Sequence, residues 1–134
     1  FDAYRRLAEV RTLDEVEDIA AEWADRFGPV PQPAAMLLEI ARLRARCVAA
    51  GVTDITVVPS REIGGPKHVA RLSPLKLLVS RQLRLERLRK GSVVKPDSLE
   101  VHVPLPGGDA MVGSLLSFFD EFVEAKPPVA AAGA

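Results

Sequence analysis

The chain has one cysteine, Cys47, among 134 residues. A single cysteine excludes an internal disulfide and any cysteine-built metal cluster. It sits mid-helix among apolar neighbours and reads as a small buried residue. The two histidines, His68 and His102, have no partner at metal-ligand spacing, so no zinc constellation is present. Aromatics make up only 5% of the chain. No apolar run approaches the ~18 residues that a membrane helix needs, and no signal-peptide pattern opens the sequence. A cytoplasmic location is therefore expected. A phosphate-binding loop is missing too. Gly64-Gly65-Pro66-Lys67 lacks the spacing and the Ser or Thr after the lysine. Ser60 with His68, or Ser117 with His102, has no motif around it and no orienting acid. These absences lead us to expect no catalysis, no nucleotide binding and no cofactor.

What is present is ordinary in bulk and unusual in arrangement. An apolar fraction of 48% and a charged fraction of 27% describe a soluble globular domain with enough chain for a real core. The formal net charge is zero. Its parts are segregated: residues 1–28 carry eight acids and four bases, residues 42–95 thirteen bases and three acids, and residues 96–134 six acids and one base. Such segregation bears on partners more than on fold. The first residue is Phe1, almost inside a helical pattern, so we expect a fragment of a longer protein. Residues 1–125 are expected to form one domain. Residues 126–134, Lys-Pro-Pro-Val-Ala-Ala-Ala-Gly-Ala, read as a disordered tail.

Local signals place the elements. Residues 3–10 read as a short helix. Thr12 and Glu15 form a capping box for a helix over 12–27, with Leu13, Val16, Ile19, Ala20, Trp23 and Phe27 as its apolar stripe. Gly28 reads as the C′ residue with positive φ, and Pro29 forbids continuation. Pro31 and Pro33 stiffen the joint before a helix over 33–50, whose apolar residues are Met36, Leu37, Ile40, Ala41, Leu43 and Val48, ending at Gly51. Residues 52–58 and 69–72 read as paired strands around the turn 61–67. Ser73-Pro74 reads as the N-cap and N1 of a helix over 74–90, with Leu75, Leu78, Val79, Leu85 and Leu88 near one face. Strands at 93–95 and 99–103 flank the turn Pro96-Asp97-Ser98. Asp109 is expected to cap a last helix carrying Val112, Leu115, Leu116, Phe119, Phe122 and Val123. The fold class is α+β: N-terminal helices packed with a small antiparallel sheet, a crossing basic helix and a C-terminal helix.

Two surfaces are candidates for function. On the acidic helix, Asp14, Glu15, Asp18, Glu22 and Asp25 lie largely away from the apolar stripe. Asp14, Glu15 and Glu17 suit the N-terminal end of the macrodipole. Glu22 and Asp25 do not, because negative charge near a helix C-terminus is mildly unfavourable. Arg26, four residues after Glu22, can offset this. The pair is either a solvated surface or a clamp for arginines of a partner. Trp23 and Phe27 read as core. On the basic helix 74–90, Lys76, Arg81, Arg84, Arg87 and Lys90 place several charges on one face, though no aromatic is interleaved for base stacking. A solvated face, a nucleic-acid contact and a contact with an acidic protein or intramolecular partner all fit.

The wording of the first half resembles a known family. Tyr4-Arg5-Arg6-Leu7-Ala8, Glu22 with Asp25-Arg26-Phe27-Gly28, Leu38-Glu39-Ile40-Ala41-Arg42-Leu43-Arg44 and Gly51-Val52-Thr53-Asp54-Ile55 resemble, in order and spacing, the C-terminal domain of bacterial transcription-repair coupling factors. The resemblance covers residues 1 to about 55. It implies a non-catalytic regulatory domain of an ATP-dependent DNA translocase that acts on stalled RNA polymerase. It further implies that the domain docks intramolecularly on an N-terminal UvrB-like module, masks UvrA recruitment and restrains the motor. On that reading Glu22 and Asp25 make the contact and Arg26 orients them. The alternative is a nucleic-acid-binding module that uses helix 74–90.

Overall fold

Thr12 opens the second helix in the expected way. The Glu15 N–H donates to Thr12 Oγ1 at 3.2 Å, and the Thr12 hydroxyl lies 2.9 Å from Glu15 Oε1. The computed structural model describes residues 2–61 and 63–123. The expected tail at 126–134, the domain limit at 125 and Glu62 of the turn lie outside the described residues. The elements are α1 (Asp2–Glu9), α2 (Leu13–Phe27), α3 (Gln32–Ala50), β1 (Asp54–Pro59), β2 (His68–Ser73), α4 (Val79–Leu88), β3 (Val93–Lys95), β4 (Glu100–Leu105) and α5 (Ala110–Phe122). The fold is α+β.

The elbow between α2 and α3 is built from glycine and proline chemistry. Gly28 has φ +75° and its N–H returns to the Ala24 carbonyl at 3.0 Å. A side chain there is strained even though a Cβ would meet open space. At the far end of α3, Gly51 is left-handed. The Gly51 and Val52 N–H groups donate to the carbonyls of Val48 and Cys47, the Schellman pattern.

Two buried clusters result. Leu7, Val10, Val16, Ile19, Trp23, Ala34, Leu38 and Ala41 join α1, α2 and the first half of α3. A larger cluster lies between the sheet and α5, with Phe118, Phe119 and Phe122 packed on Leu72, Val101, Val103 and Leu105. The sheet is antiparallel in the order β1-β2-β4-β3. Along β4, Val101, Val103 and Leu105 turn to the helices and His102 and Pro104 to the other face. Two ion pairs bind α3 to its neighbours: Arg42 with Glu17 of α2, and Arg46 with Asp120 of α5, both at 2.7 Å.

Several expectations are corrected. The helix read over 74–90 begins at Val79 and ends at Leu88. Ser73 is the last residue of β2. Residues 75–78 belong to no helix or strand, and Leu75 and Leu77 are buried while Lys76, Leu78 and Val79 face solvent. Burial of alternate residues is the period of extended chain, and Leu78 has extended dihedrals. Leu13 and Phe27 of α2 are exposed, and Trp23 alone of the aromatics there is core. On α3 the buried face is Ala34, Leu38, Ala41 and Ala45, whereas Leu37, Ile40 and Val48 are exposed. Small residues face the neighbouring helices because they permit close approach of the backbones. Asp109 precedes α5 but its side chain makes no capping hydrogen bond. Strand β4 runs through Pro104 to Leu105, two residues further than read. A proline is tolerated there because β3 pairs only as far as His102, leaving β4 one neighbour at that level.

Candidate functional site

The end of α2 brings Glu22, Asp25, Arg26 and Phe27 together on one exposed turn before the elbow. Glu22 lies between two guanidinium groups. Arg6 of α1 is 2.9 Å from Glu22 Oε2, and Arg26 is 3.4 Å from Glu22 Oε1. The hydrogen bond from Arg6 is the main cause that holds the Glu22 carboxyl below the usual carboxylate range, with Arg26 adding to it. Asp25 is exposed and makes no ion pair among the described residues. Phe27 is 68% exposed, with the Arg26 guanidinium 5.6 Å from its ring centroid. Behind this turn Trp23 is buried and meets the edge of Tyr4 at 5.7 Å.

Sequence reasoning named Glu22, Asp25 and Arg26, assigned Phe27 to the core, where the structure exposes it, and did not name Arg6. Arg6 lies 16 residues from Glu22. No local spacing rule reports a pair that depends on how α1 packs across α2. Phe27 carried a signal that was available: it is the last helical residue, where the stripe runs off the packed length of α2.

The second expected surface is smaller than read. Lys76 lies in the irregular segment before α4 and Lys90 lies after it. Within α4, Arg84 and Arg87 are exposed and Arg81 is half-buried. Arg84 is stacked 5.8 Å from the Phe122 ring centroid. Arg89 turns inward, donating to the Ser114 carbonyl at 3.3 Å and lying 5.9 Å from the same ring. These bases cover the buried Phe122 as much as they face solvent.

Elsewhere, His102 Nε2 is 3.0 Å from Glu100 Oε1 on the face opposite α5, so it makes no pair with Ser117. Burial pushes the Cys47 thiol up to about 11, which suits an inert packing residue. No group of His, Cys, Asp or Glu fit to hold a metal occurs among the described residues, and no described helix is long and apolar enough to cross a membrane. The end of α2 therefore brings together two carboxylates, a guanidinium and an aromatic ring.

One electrostatic consequence is measurable. Arg42 Nε contacts both oxygens of Glu17 at 3.1 Å and Arg42 Nη2 contacts Oε1 at 2.7 Å. This hydrogen bonding holds the Glu17 carboxyl below its ordinary range, as Arg6 does for Glu22 and His102 for Glu100. A depressed carboxylate contributes stability above its unfolded pKa of about 4.3, and that stability is lost as pH falls through the folded value. Stability is expected to decline on acidification below about pH 4.3. Glu17→Gln should flatten the decline and cost about 0.5–1 kcal/mol at neutral pH, since the pair is half exposed. Urea midpoints at several pH values check this, and an unchanged pH slope in Glu17→Gln counts against it.

Comparison with known proteins gives consistent matches. Residues 1–64 match the family model of the TRCF domain. The transcription-repair-coupling factors of Mycobacterium bovis and Mycobacterium tuberculosis are each 38% identical over 105 residues, covering 78% of this chain and 8% of the relative. That of Escherichia coli is 47% identical over 52 residues, 39% of this chain and 4% of the relative. This chain thus spans less than a tenth of the length of these relatives. The crystal structure of the C-terminal domain of a transcription-repair coupling factor superposes with a TM-score of 0.61 at 16% identity, over 90% of this chain and 76% of that one.

Proposed function

Because residues 1–64 carry the TRCF domain and the fold is that of the C-terminal domain of a transcription-repair coupling factor, we propose that this chain is the regulatory C-terminal domain of such a factor. It is non-catalytic itself and belongs to an ATP-dependent DNA translocase. It docks on the UvrB-like N-terminal module of its parent, masks the surface that recruits UvrA and restrains the motor. RNA polymerase and DNA are engaged through the parent. Exchange of partners is the switch.

The observation that carries this reading is the exposed turn of Glu22, Asp25, Arg26 and Phe27 at a stiff elbow. Carboxylates suit partner arginines, which take two-pronged contacts. An aromatic beside them supplies the apolar centre that interfaces need. Arg6 already holds one oxygen of Glu22, so a partner arginine must share that carboxylate or displace Arg6.

Replacing both Glu22 and Asp25 with Ala is expected to leave the domain folded, because exposed charges contribute little to stability. In the full-length parent the same change should weaken closure about tenfold. UvrA capture and DNA-independent ATP hydrolysis should then both rise. A UvrA pull-down and a steady-state ATPase rate, wild type against the double variant, decide the matter. If neither value moves while the fold is intact, these carboxylates are solvated surface and the docking face lies elsewhere.

A further inference from the structure

Helix α3 packs one face against α1 and α2 and, through Leu43 and Cys47, a second against the sheet cluster. Between these faces Leu37, Ile40 and Val48 are 41%, 45% and 51% exposed. Residues 37, 40, 44 and 47 repeat at intervals of three, four and three, the a and d spacing of a heptad seam. Ile40, Arg44 and Cys47 of this seam line a groove of about 600 Å³, together with Val52 just before β1 and Ile55 of β1. β1 is an edge strand of the sheet, and Ile40 and Val48 beside the groove are exposed. The one charged residue lining the groove is Arg44. It donates to the Leu7 carbonyl at 2.7 Å, and a guanidinium has further N–H groups to offer.

We propose that this groove receives an amphipathic helix of another polypeptide segment, with apolar residues at its own a and d positions and a carboxylate at the level of Arg44. The charge pattern selects the occupant. A second copy laid parallel sets Arg44 against Arg44. Laid antiparallel, it sets Arg44 against Ile40 or Cys47 and leaves a charge unpaired in an apolar seam. A helix carrying Glu or Asp at that level satisfies the guanidinium and buries the seam on either side. A charged seam position of this kind discriminates among partners. The surface is distinct from the turn at Glu22 and does not depend on how that turn is used.

The test uses this chain and fluorescent synthetic peptides about three heptads long, with Leu at a and d. One peptide has Glu at the central seam position, one has Lys, and one has the Glu sequence broken by two prolines. The Glu peptide is expected to bind about tenfold tighter than the Lys peptide in fluorescence anisotropy. Arg44→Glu should reverse that order, and Ile40→Asp should abolish saturable binding of both. Circular dichroism verifies each fold, and Arg44→Met, which should make the two peptides equal, covers the case in which Arg44→Glu unfolds. Four results overturn the proposal: equal affinities in the wild type, no saturable binding, a proline-broken peptide that binds as well, or a dimer in sedimentation that Ile40→Asp dissolves.

Discussion

Phe122→Ala is expected to lower the unfolding free energy by about 3–5 kcal/mol. Phe122 is fully buried and packs on Phe118, with ring centroids 5.7 Å apart. It also sits beneath the guanidinium groups of Arg84 and Arg89. Truncation leaves a cavity between the sheet and α5 and removes the ring on which both arginines lie. Phe122→Leu keeps most of the volume and should cost less, about 1–1.5 kcal/mol. Urea unfolding followed by circular dichroism measures both, and the midpoint should fall with the slope unchanged. A Phe122→Ala midpoint equal to wild type contradicts the packing described above.

Trp23→Ala is expected to be comparably severe, about 3–5 kcal/mol. Trp23 is 5% exposed and is the largest side chain of the cluster that ties α1 and α2 to α3. Its loss also leaves the Tyr4 ring without its edge-on partner. Four residues on, Phe27→Ala should change stability by less than about 0.5 kcal/mol, as exposed substitutions do. The contrast tests the division of this helix into an inward and an outward aromatic. Similar losses at both positions mean that Phe27 packs inside. Unchanged stability at Trp23 makes it a surface residue.

The difference between those two aromatics shows what the sequence made legible. Capping and chain-reversal chemistry is local, so Thr12, Gly28, Pro29 and Gly51 located α2, the elbow and the end of α3. Strand β3 was read at its observed bounds because its β-branched pair is followed by Pro96 in the turn. Where residue size rather than residue type decides, the pattern misled. On α3 the apolar residues of the sequence pattern include Leu37, Ile40 and Val48, which are exposed, while Ala34, Leu38, Ala41 and Ala45 form the buried face because the helices meet closely. On the basic segment the leucines were counted at a helical period, while Leu75 and Leu77 follow the period of extended chain. At the candidate site, the local carboxylates and Arg26 were visible. The ion pair from Arg6 was not, because it arises only when α1 is laid across α2.

The two buried clusters share α3 as a common spar. Its first half is fixed by Leu38 and Ala41 among the N-terminal helices, and its second half packs Leu43 and Cys47 against the sheet cluster. The smaller cluster has eight buried residues and the larger fourteen. Proteins open in contiguous cooperative units, and the unit with less buried apolar contact opens at lower free energy. Helices α1 and α2 can therefore detach from the spar as a pair while the sheet stays closed. Their detachment carries Glu22, Asp25 and Phe27 away as one piece. The surface proposed to grip the parent is thus mounted on the more readily released part of the molecule. A pull on that contact would be relieved by local melting before it reached the sheet.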